Sequence, residues 1–310
     1  LAPGKAELQA DLVTADGKTL YKTALALEKP ARPAWLGSKA GISDEVLAPW
    51  TPLRVSGNKV MPWGRTYGFS ALPFPSSAIT AGEEVLAGPI TLVGTVGGQK
   101  IRWEGQDARV TQAKPGVVTL QSQARATGLS CTGTVSLEYD GMMRSDFRLA
   151  PQGEATVEAL TLEVPIKARF ARYLYHWPGR WGSAYNAGAL PPEGFHGPFK
   201  PFFWLGDEKR GLCWFSESDR NFFGDGKANA IDISREGDRV VLRVNLITSP
   251  QVVKEPLDYT FGFQATPVKP MTPDVWDYRI SHAGNYSLPT QVHRGSAGVS
   301  YPAKGNIDLK

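Results

Sequence analysis

The residues best suited to chemistry are concentrated in one stretch, Phe170–Phe223. It contains nearly half of the aromatic residues of the chain, interleaved with arginine, histidine and carboxylate side chains and interrupted by glycine and proline. Rings that alternate with charged groups are typical of surfaces that stack on flat, hydroxylated rings such as sugars. Aromatic residues also form ordinary cores. The stretch therefore predicts either a sugar-contacting surface or the largest core layer.

Carboxylates and aromatic side chains are the candidates within this stretch. Two carboxylates held across a sugar can hydrolyse a glycosidic bond, but a charged turn such as the one at Asp207 is more often solvated. The loop sequence HWPGRWGSAYNAG could form a stacking platform, close the open end of a sandwich, or line an interface with a neighbouring domain. We assign no catalytic residue. The candidate carbohydrate-binding residues are Trp177, Arg180, Trp181, Tyr185, Trp204, Asp207, Trp214, Glu217 and Asp219.

Metal and cofactor sites are not predicted. The four histidines, including His176 and His196, lack the spacing of common ligand pairs. No phosphate-binding loop, dinucleotide fingerprint or nucleophile elbow stands in a strand–turn–helix context. The cysteines, Cys131 and Cys213, also lack metal-ligand spacing, and two separately buried thiols are favoured over a disulfide.

Composition narrows the partners further. The net charge is +4, and the 34 lysine and arginine residues are scattered, so nucleic acid is not expected. No apolar run approaches the roughly 20 residues that a membrane-spanning helix needs. Hydrophobic residues make up 42% and charged residues 21% of the chain, which is typical of a globular protein.

Strand patterns recur about every ten residues along the chain. Apolar and polar residues alternate strictly in several segments, among them Thr134–Tyr139, Ala159–Ile166 and Leu257–Phe263. This alternation gives each strand one buried and one wet face, as in antiparallel sheets that pack together. We therefore predict an all-β fold, a large antiparallel β-sandwich of the supersandwich type with few or no helices.

The domain boundary is predicted near residue 266. Residues 1–266 are expected to form one sandwich unit, in which 1–150 and 151–266 can supply the two layers. Three prolines then follow in TPVKPMTPDVW, which is typical of a domain edge. Residues 267–310 are expected to be a linker and the start of a truncated downstream domain.

Several segments resemble the N-terminal β-sandwich region of large bacterial proteins similar to family 123 of the glycoside hydrolases. The most specific is F-x-W-L-G-D-x-x-R-G-L-x-W-F-x-E-S-D, and the similarity extends over most of residues 1–275. The last residues, VSYPAKGNIDLK, also resemble the opening strand of a laminin-G-like jelly roll. The segments that carry the family resemblance are Trp35–Leu53, Glu84–Ile90, Tyr139–Gly141, Phe202–Asp219 and Thr266–Pro270.

The resemblance implies an exported glycan-degrading bacterial protein, in the periplasm, at the cell surface or outside the cell. In that family a (β/α)8 barrel follows the sandwich and carries an Asp-Glu pair for substrate-assisted cleavage of N-acetylgalactosaminides. No part of this chain corresponds to the barrel, so no catalytic residue is carried over. The implied partners are a glycan or polysaccharide and the downstream domains of the same parent chain.

Three functions remain open from the sequence. The first is a non-catalytic accessory domain that supports the substrate cleft of a glycoside-hydrolase-like parent. The second is a stand-alone carbohydrate-binding module in which Trp177, Trp181 and Trp204 stack on sugars. The third is a supersandwich-type lyase or epimerase, which would use residues such as His176, Arg180, Tyr185 or Glu217.

Overall fold

The regular elements of the described residues are all β-strands, which confirms the predicted all-β class. Among these residues, no helix is long and apolar enough to cross a membrane. The chain divides into two compact units after Asp44, a boundary that the sequence did not predict. The computed structural model describes residues 3–177, 186–224 and 228–270, together with the backbone of 278–281 and 291–294.

The first unit contains a two-stranded antiparallel hairpin, β1 (Gly4–Val13) and β2 (Thr19–Lys29). Its turn contains Gly17 at a positive φ, a left-handed conformation that favours glycine. The hairpin belongs to a unit of its own. Leu8 pairs with Leu25 on one face of the hairpin, and both side chains are exposed.

The second unit contains three sheets and a short C-terminal hairpin, β25 (Tyr278–Ser281) and β26 (Gln291–Arg294). The five-stranded sheet consists of β3 (Arg54–Ser56), β4 (Lys59–Met61), β5 (Arg65–Phe69), β6 (Pro75–Thr80) and β7 (Glu83–Glu84). The seven-stranded sheet consists of β8 (Thr91–Val96), β9 (Gln99–Lys100), β15 (Ala155–Lys167), β18 (Phe195–Gly197), β21 (Ile231–Glu236), β22 (Arg239–Ile247) and β23 (Gln251–Val253). The ten-stranded sheet consists of β10 (Glu104–Gly105), β11 (Arg109–Ala113), β12 (Val117–Ala126), β13 (Leu129–Glu138), β14 (Met143–Pro151), β16 (Tyr173–Trp177), β17 (Ala187–Ala189), β19 (Phe202–Gly206), β20 (Gly211–Phe215) and β24 (Leu257–Thr266).

The ten-stranded sheet has the strand order β10-β12-β13-β14-β24-β20-β19-β16-β17, with β11 also paired to β12. Its centre is the antiparallel pairing of β14 with β24, which joins strands that are far apart in sequence. The two layers therefore do not follow the sequence halves 1–150 and 151–266. Both halves contribute strands to this sheet, because long-range pairing places β24 between β14 and β20.

One continuous hydrophobic core joins the three sheets of the second unit. The alternation seen in the sequence sets its inward faces, since every second residue of a strand points to the same side. On β15, Leu160, Leu162, Val164 and Ile166 are all buried, as the alternation predicts. Burial of such apolar surface is the main force that stabilises a sandwich of this size.

Both cysteines are buried thiols without a disulfide, as expected from the sequence. Burial raises the pKa of Cys131 and of Cys213 to about 12. Both thiols are therefore protonated at neutral pH, and a protonated thiol is a poor nucleophile and a poor metal ligand.

The exposed side of the seven-stranded sheet carries an ion-pair network centred on Arg243. Its Nε donates to Glu163 Oε1 at 2.9 Å, its Nη1 donates to Ser234 Oγ at 2.7 Å, and its Nη2 contacts Glu236. Arg239 Nη2 also donates to Glu236 Oε2 at 2.7 Å. Hydrogen bonds from Arg243 and then Arg239 hold the pKa of Glu236 below its ordinary 4.5.

Glu236 is expected to make folding stability depend on pH in the acid range. Its pKa is lower in the folded chain than the ordinary 4.5 of an unfolded one. Its stabilising contribution is therefore present above that ordinary value and is lost as the pH falls through the folded value. Glu236→Gln should lower the thermal midpoint at pH 7. The corresponding loss of folding free energy should be at most about 1 kcal/mol. The difference between variant and wild type should shrink at pH 3, and an equal difference at both pH values would contradict the prediction.

The segment Ala265–Val268, called the exit segment below, is held by side chains from other parts of the second unit. Arg65 is buried and donates from Nη1 to the Ala265 carbonyl at 3.1 Å and from Nη2 to the Val268 carbonyl at 2.9 Å. Trp50 Nε1 donates to the same Val268 carbonyl at 2.7 Å. The end of β24 is thus fixed before residue 270. Thr80 and Trp204 also donate hydrogen bonds to Thr266, and the Ala265 N–H donates to the Tyr67 hydroxyl.

Candidate functional site

The face of the ten-stranded sheet that points away from the core, called the outer face below, is where Trp177, Trp204 and Glu217 meet among the predicted residues. On β16, Leu174 and His176 point into the core, so Tyr173, Tyr175 and Trp177 point outward. Residues directly opposite on neighbouring strands share a face. Following the register across the sheet therefore identifies the rest of the outer face.

An aromatic row crosses the outer face in register. Trp177 lies opposite Phe202, Phe202 opposite Phe215, Phe215 opposite Gly262, and Gly262 opposite Arg144. The rings of Phe202 and Phe215 are nearly parallel, with centroids 6.5 Å apart. Trp177 is 42% exposed at the outer end of the row. The row therefore runs from the exposed Trp177 ring, across two half-buried phenylalanine rings, to a guanidinium group.

Two outer-face rings lie against glycine backbone. A Cβ atom on residue 262 would lie 2.0 Å from two atoms of the Phe215 ring, so the ring covers a position that only glycine leaves open. Trp204 covers Gly206 and Gly211 in the same way. A Cβ atom on residue 206 would lie 2.2 Å from the indole ring, and one on residue 211 would lie 2.4 Å from it. Both rings are half-buried. One side of each ring is therefore covered by the sheet, as in a stacking platform.

The other half of the outer face is polar and carries paired charges. Arg148 makes a bidentate ion pair with Asp258, with N–O distances of 2.7 and 2.9 Å. Arg144 makes a second bidentate pair with Asp146 at 2.8 and 3.0 Å, and Thr260 Oγ1 donates to the same carboxylate at 2.6 Å. The hydrogen bond from Arg148 lowers the pKa of Asp258. Asp258 is therefore ionised at neutral pH, which suits hydrogen-bond acceptance and not proton donation.

The loop after β20 is fixed to β24 beside these charges. Ser216 Oγ donates to the Thr260 carbonyl at 3.3 Å, and Asn221 Nδ2 donates to the Asp258 carbonyl at 2.9 Å. Asn221 adopts a positive φ, in the left-handed region that asparagine tolerates better than most residues. Because both ends of the turn are tied down, Glu217 is held at the edge of the outer face.

Two adjoining cavities lie on the outer face. The larger is about 1170 Å³ and lies over β12, β13 and β14, beside the loop that contains β10. The smaller, called the junction cavity below, is about 500 Å³ and lies where the aromatic row meets the polar half. Asp258, Tyr259 and Thr260 line both cavities. Both volumes are within or near the usual range for small-molecule sites.

The predicted binding residues separate into several groups in the structure. Trp177 and Trp204 lie on the outer face, and Glu217 lines the junction cavity. Asp219 belongs to the same loop but lines neither cavity. Arg180, Trp181 and Tyr185 lie outside the described residues, so their assignments stay predictions.

Trp214 and Asp207 have structural roles instead. Trp214 is 1% exposed and packs edge-to-face on Phe261, with centroids 5.4 Å apart. This burial corrects the prediction, since the ring is not accessible to a ligand. Asp207 Oδ1 accepts from the backbone N–H groups of Lys209 and Arg210 at 2.8 and 2.7 Å. It therefore stabilises the β19–β20 turn in the way that aspartate commonly does.

Sequence reasoning missed the arginine–carboxylate pairs of the outer face. Their signal was present, because the outward positions of β14 are Arg144, Asp146 and Arg148. Those of β24 include Asp258 and Thr260. What the sequence alone did not provide was the pairing of β14 with β24, which is needed to bring these groups together.

Metal chemistry has no candidate among the residues that the structure describes, where no group of three or more His, Cys, Asp or Glu side chains could hold an ion. His196 Nδ1 lies 2.7 Å from Asp232 on the exposed side of the seven-stranded sheet. His176 is buried beneath the outer face between Phe195 and Phe203. The two histidines thus belong to different sheets.

Comparison with known families gives one match. Residues 53–224, which are more than half of the chain, match the family described as glycoside hydrolase 123, third domain. No curated protein matches significantly. The matched region includes β16, β19 and β20, which carry the aromatic row, as well as β14 with its paired charges.

Solved structures that resemble the chain share very low sequence identity with it. The GalM/aldose epimerase homologue from C. elegans has a TM-score of 0.42 and 7% identity, covering 68% of this chain and 98% of that one. The galactose 1-epimerase from Lactobacillus acidophilus NCFM has a TM-score of 0.40 and 8% identity, covering 70% and 97%. The Slr1438 protein from Synechocystis sp. PCC 6803 has a TM-score of 0.40 and 11% identity, covering 69% and 95%.

Proposed function

Because this chain belongs to the third-domain family of glycoside hydrolase 123 proteins, we propose that it is a non-catalytic accessory domain that contacts a glycan through its outer face. The observation that carries the proposal is the register of the aromatic row. Exposed rings at Trp177 lead across Phe202 and Phe215 to the guanidinium of Arg144 within one row of the sheet. Stacking rings beside hydrogen-bonding charges are what a polyhydroxylated ring requires.

The charge pairs support binding over catalysis. Hydrolysis of a glycosidic bond needs one carboxyl group with a raised pKa to act as the acid. Asp146 and Asp258 are both engaged by arginine, and the pKa of Asp258 is lowered by Arg148. These carboxylates can accept hydrogen bonds from sugar hydroxyls at the free lone pairs that remain on their oxygens.

The wider setting of the domain is part of the same proposal. We propose an exported bacterial parent protein with further domains that act on the glycan, and the family match supports this proposal. The fixed exit segment supports an accessory role beside other domains of the parent protein, since Arg65 and Trp50 hold Val268 in a defined position. A domain with a defined exit can present its outer face to a substrate in a constant orientation.

Affinity gel electrophoresis of the full chain against a panel of soluble polysaccharides tests the proposal. We expect retardation by at least one glycan and a loss of about tenfold in affinity for Trp177→Ala, which corresponds to about 1.4 kcal/mol. Trp35→Ala is the matched control, since Trp35 is 73% exposed but lies in the first unit.

Reducing-end and uronate assays on the same samples separate accessory from enzymatic roles. Binding without turnover supports the proposal. Turnover by the isolated chain would favour the lyase or epimerase alternative. Absence of binding to every glycan, or equal binding by wild type and Trp177→Ala, would contradict a glycan-contacting outer face.

A further inference from the structure

The junction cavity brings an aromatic floor and charged walls together at one place. Its floor is the Phe215 ring, which Gly262 allows to lie close to the sheet. Glu217 and Arg220 come from the loop after β20, and Arg144 comes from β14. The volume is about 500 Å³, which suits a small ligand more than an extended polymer segment.

The charges that line the junction cavity favour an uncharged ligand. Three carboxylates, Glu138, Glu217 and Asp258, face two guanidinium groups, Arg144 and Arg220. The lining therefore carries one net negative charge. An anionic ligand would be disfavoured, because like charges repel at close range.

Glu217, like Glu138, differs from the aspartates near the aromatic row. Asp258 is paired with Arg148, and Asp146 is paired with Arg144. Within the part of the chain that the structure describes, no hydrogen bond or ion pair engages the Glu217 carboxylate. Its oxygens can therefore accept hydrogen bonds from a ligand without breaking an existing pair.

The anchoring of the loop keeps Glu217 beside the ring. Ser216 and Asn221 tie the two ends of the turn to backbone carbonyls of β24. Tyr259 adds a third tie, because its hydroxyl donates to the Asn221 carbonyl at 2.9 Å. A site whose polar groups are fixed before binding loses less entropy when the ligand arrives.

We propose that the junction cavity binds one uncharged pyranose residue, with its C–H face on Phe215 and a hydroxyl group donating to Glu217. The proposal rests on the proposed function, because it names the ligand class for the same outer face. The cavity discriminates against sugars that carry a carboxylate, and Glu217 is the residue that causes this discrimination.

NMR titration of the full chain with matched sugars tests the proposal. The probes are D-glucose and D-galactose, their N-acetylhexosamines, and their uronates as the charged counterparts. We expect at least one neutral sugar to bind about tenfold more tightly than its uronate, with the largest shifts at Phe215, Glu217 and Gly262. Glu217→Lys should reduce this preference to parity or reverse it, because it makes the net charge of the lining positive.

Glu217→Gln is the isosteric companion variant, and Glu154→Lys is the matched control on an exposed acid that lines neither cavity. Glu217→Gln should weaken binding of the neutral sugar and also reduce the preference over its uronate, whereas Glu154→Lys should change neither. A uronate that binds as tightly as its neutral counterpart, or a preference unchanged in Glu217→Lys, would overturn the inference.

Failure of this inference is distinguishable from failure of the proposed function. If polysaccharide binding depends on Trp177 but no sugar shifts the NMR signals of the junction-cavity residues, the inference is wrong and the glycan-contacting outer face stands. If neither polysaccharide nor monosaccharide binds, both are wrong.

Discussion

Trp214→Ala is expected to lower the free energy of unfolding by about 3–5 kcal/mol, the range for removal of a large buried aromatic side chain. Trp214 is 1% exposed and contacts the rings of Phe203 and Phe261. Its loss would leave a cavity between the ten-stranded sheet and the rest of the core. Urea denaturation followed by circular dichroism would measure the effect as a lower midpoint.

Trp177→Ala is the matched comparison, because it removes the same side chain from the outer face. Trp177 is 42% exposed, so its removal should change the free energy of unfolding by less than about 1 kcal/mol. Glycan affinity should follow the opposite order, with a loss in Trp177→Ala and none in the folded fraction of Trp214→Ala. Similar stability losses in the two variants would contradict the assignment of Trp214 to the core.

Arg65→Met is expected to destabilise the second unit by about 3–5 kcal/mol. The substitution keeps much of the side-chain volume but removes donors to the carbonyls of Trp63, Ala265 and Val268. Because Arg65 is only 4% exposed, water cannot readily replace these donors. A buried carbonyl that loses its partner contributes most of the expected effect. Chemical denaturation measures it directly.

Arg148→Met provides the control for the Arg65 prediction. Arg148 makes two hydrogen bonds, where Arg65 makes three, but both go to Asp258 on the outer face and its side chain is more than half exposed. An exposed pair contributes much less to stability than a buried one, because solvent screens it. A loss of similar size in both variants would mean that burial does not determine the contribution of Arg65.

The fold could be predicted to a large extent because alternation is a local property. The buried residues of β15 and β24 follow the two-residue period that the sequence shows. The fold class and the buried face of each strand could therefore be predicted. The division after Asp44 could not be predicted in this way, since it depends on which strands share a core. The hairpin β1–β2 alternates like the strands of the sandwich, yet its apolar residues, such as Leu8 and Leu25, are not part of the core cluster.

The candidate site was predictable only in part, because a site depends on long-range register. Trp177 and Trp204 were recognised from their residue type, and so was Trp214, which the structure places on the opposite face. Adjacent positions on a strand point to opposite sides, and Trp204 and Trp214 face different sides of the sheet because each follows the alternation of its own strand. The chemistry of an indole does not reveal its direction.

The hydrogen bond from Trp50 to Val268 has a mechanical consequence. Trp50 lies just before β3 and Val268 lies just after β24. The bond therefore connects the two ends of the sandwich directly, although more than 200 residues separate them in sequence. Tension applied to the chain on both sides of the sandwich would load this contact, with that of Arg65 to Val268, before it reached the sheets. The outer face would therefore bear no pulling force until the contacts of Trp50 and Arg65 with Val268 break.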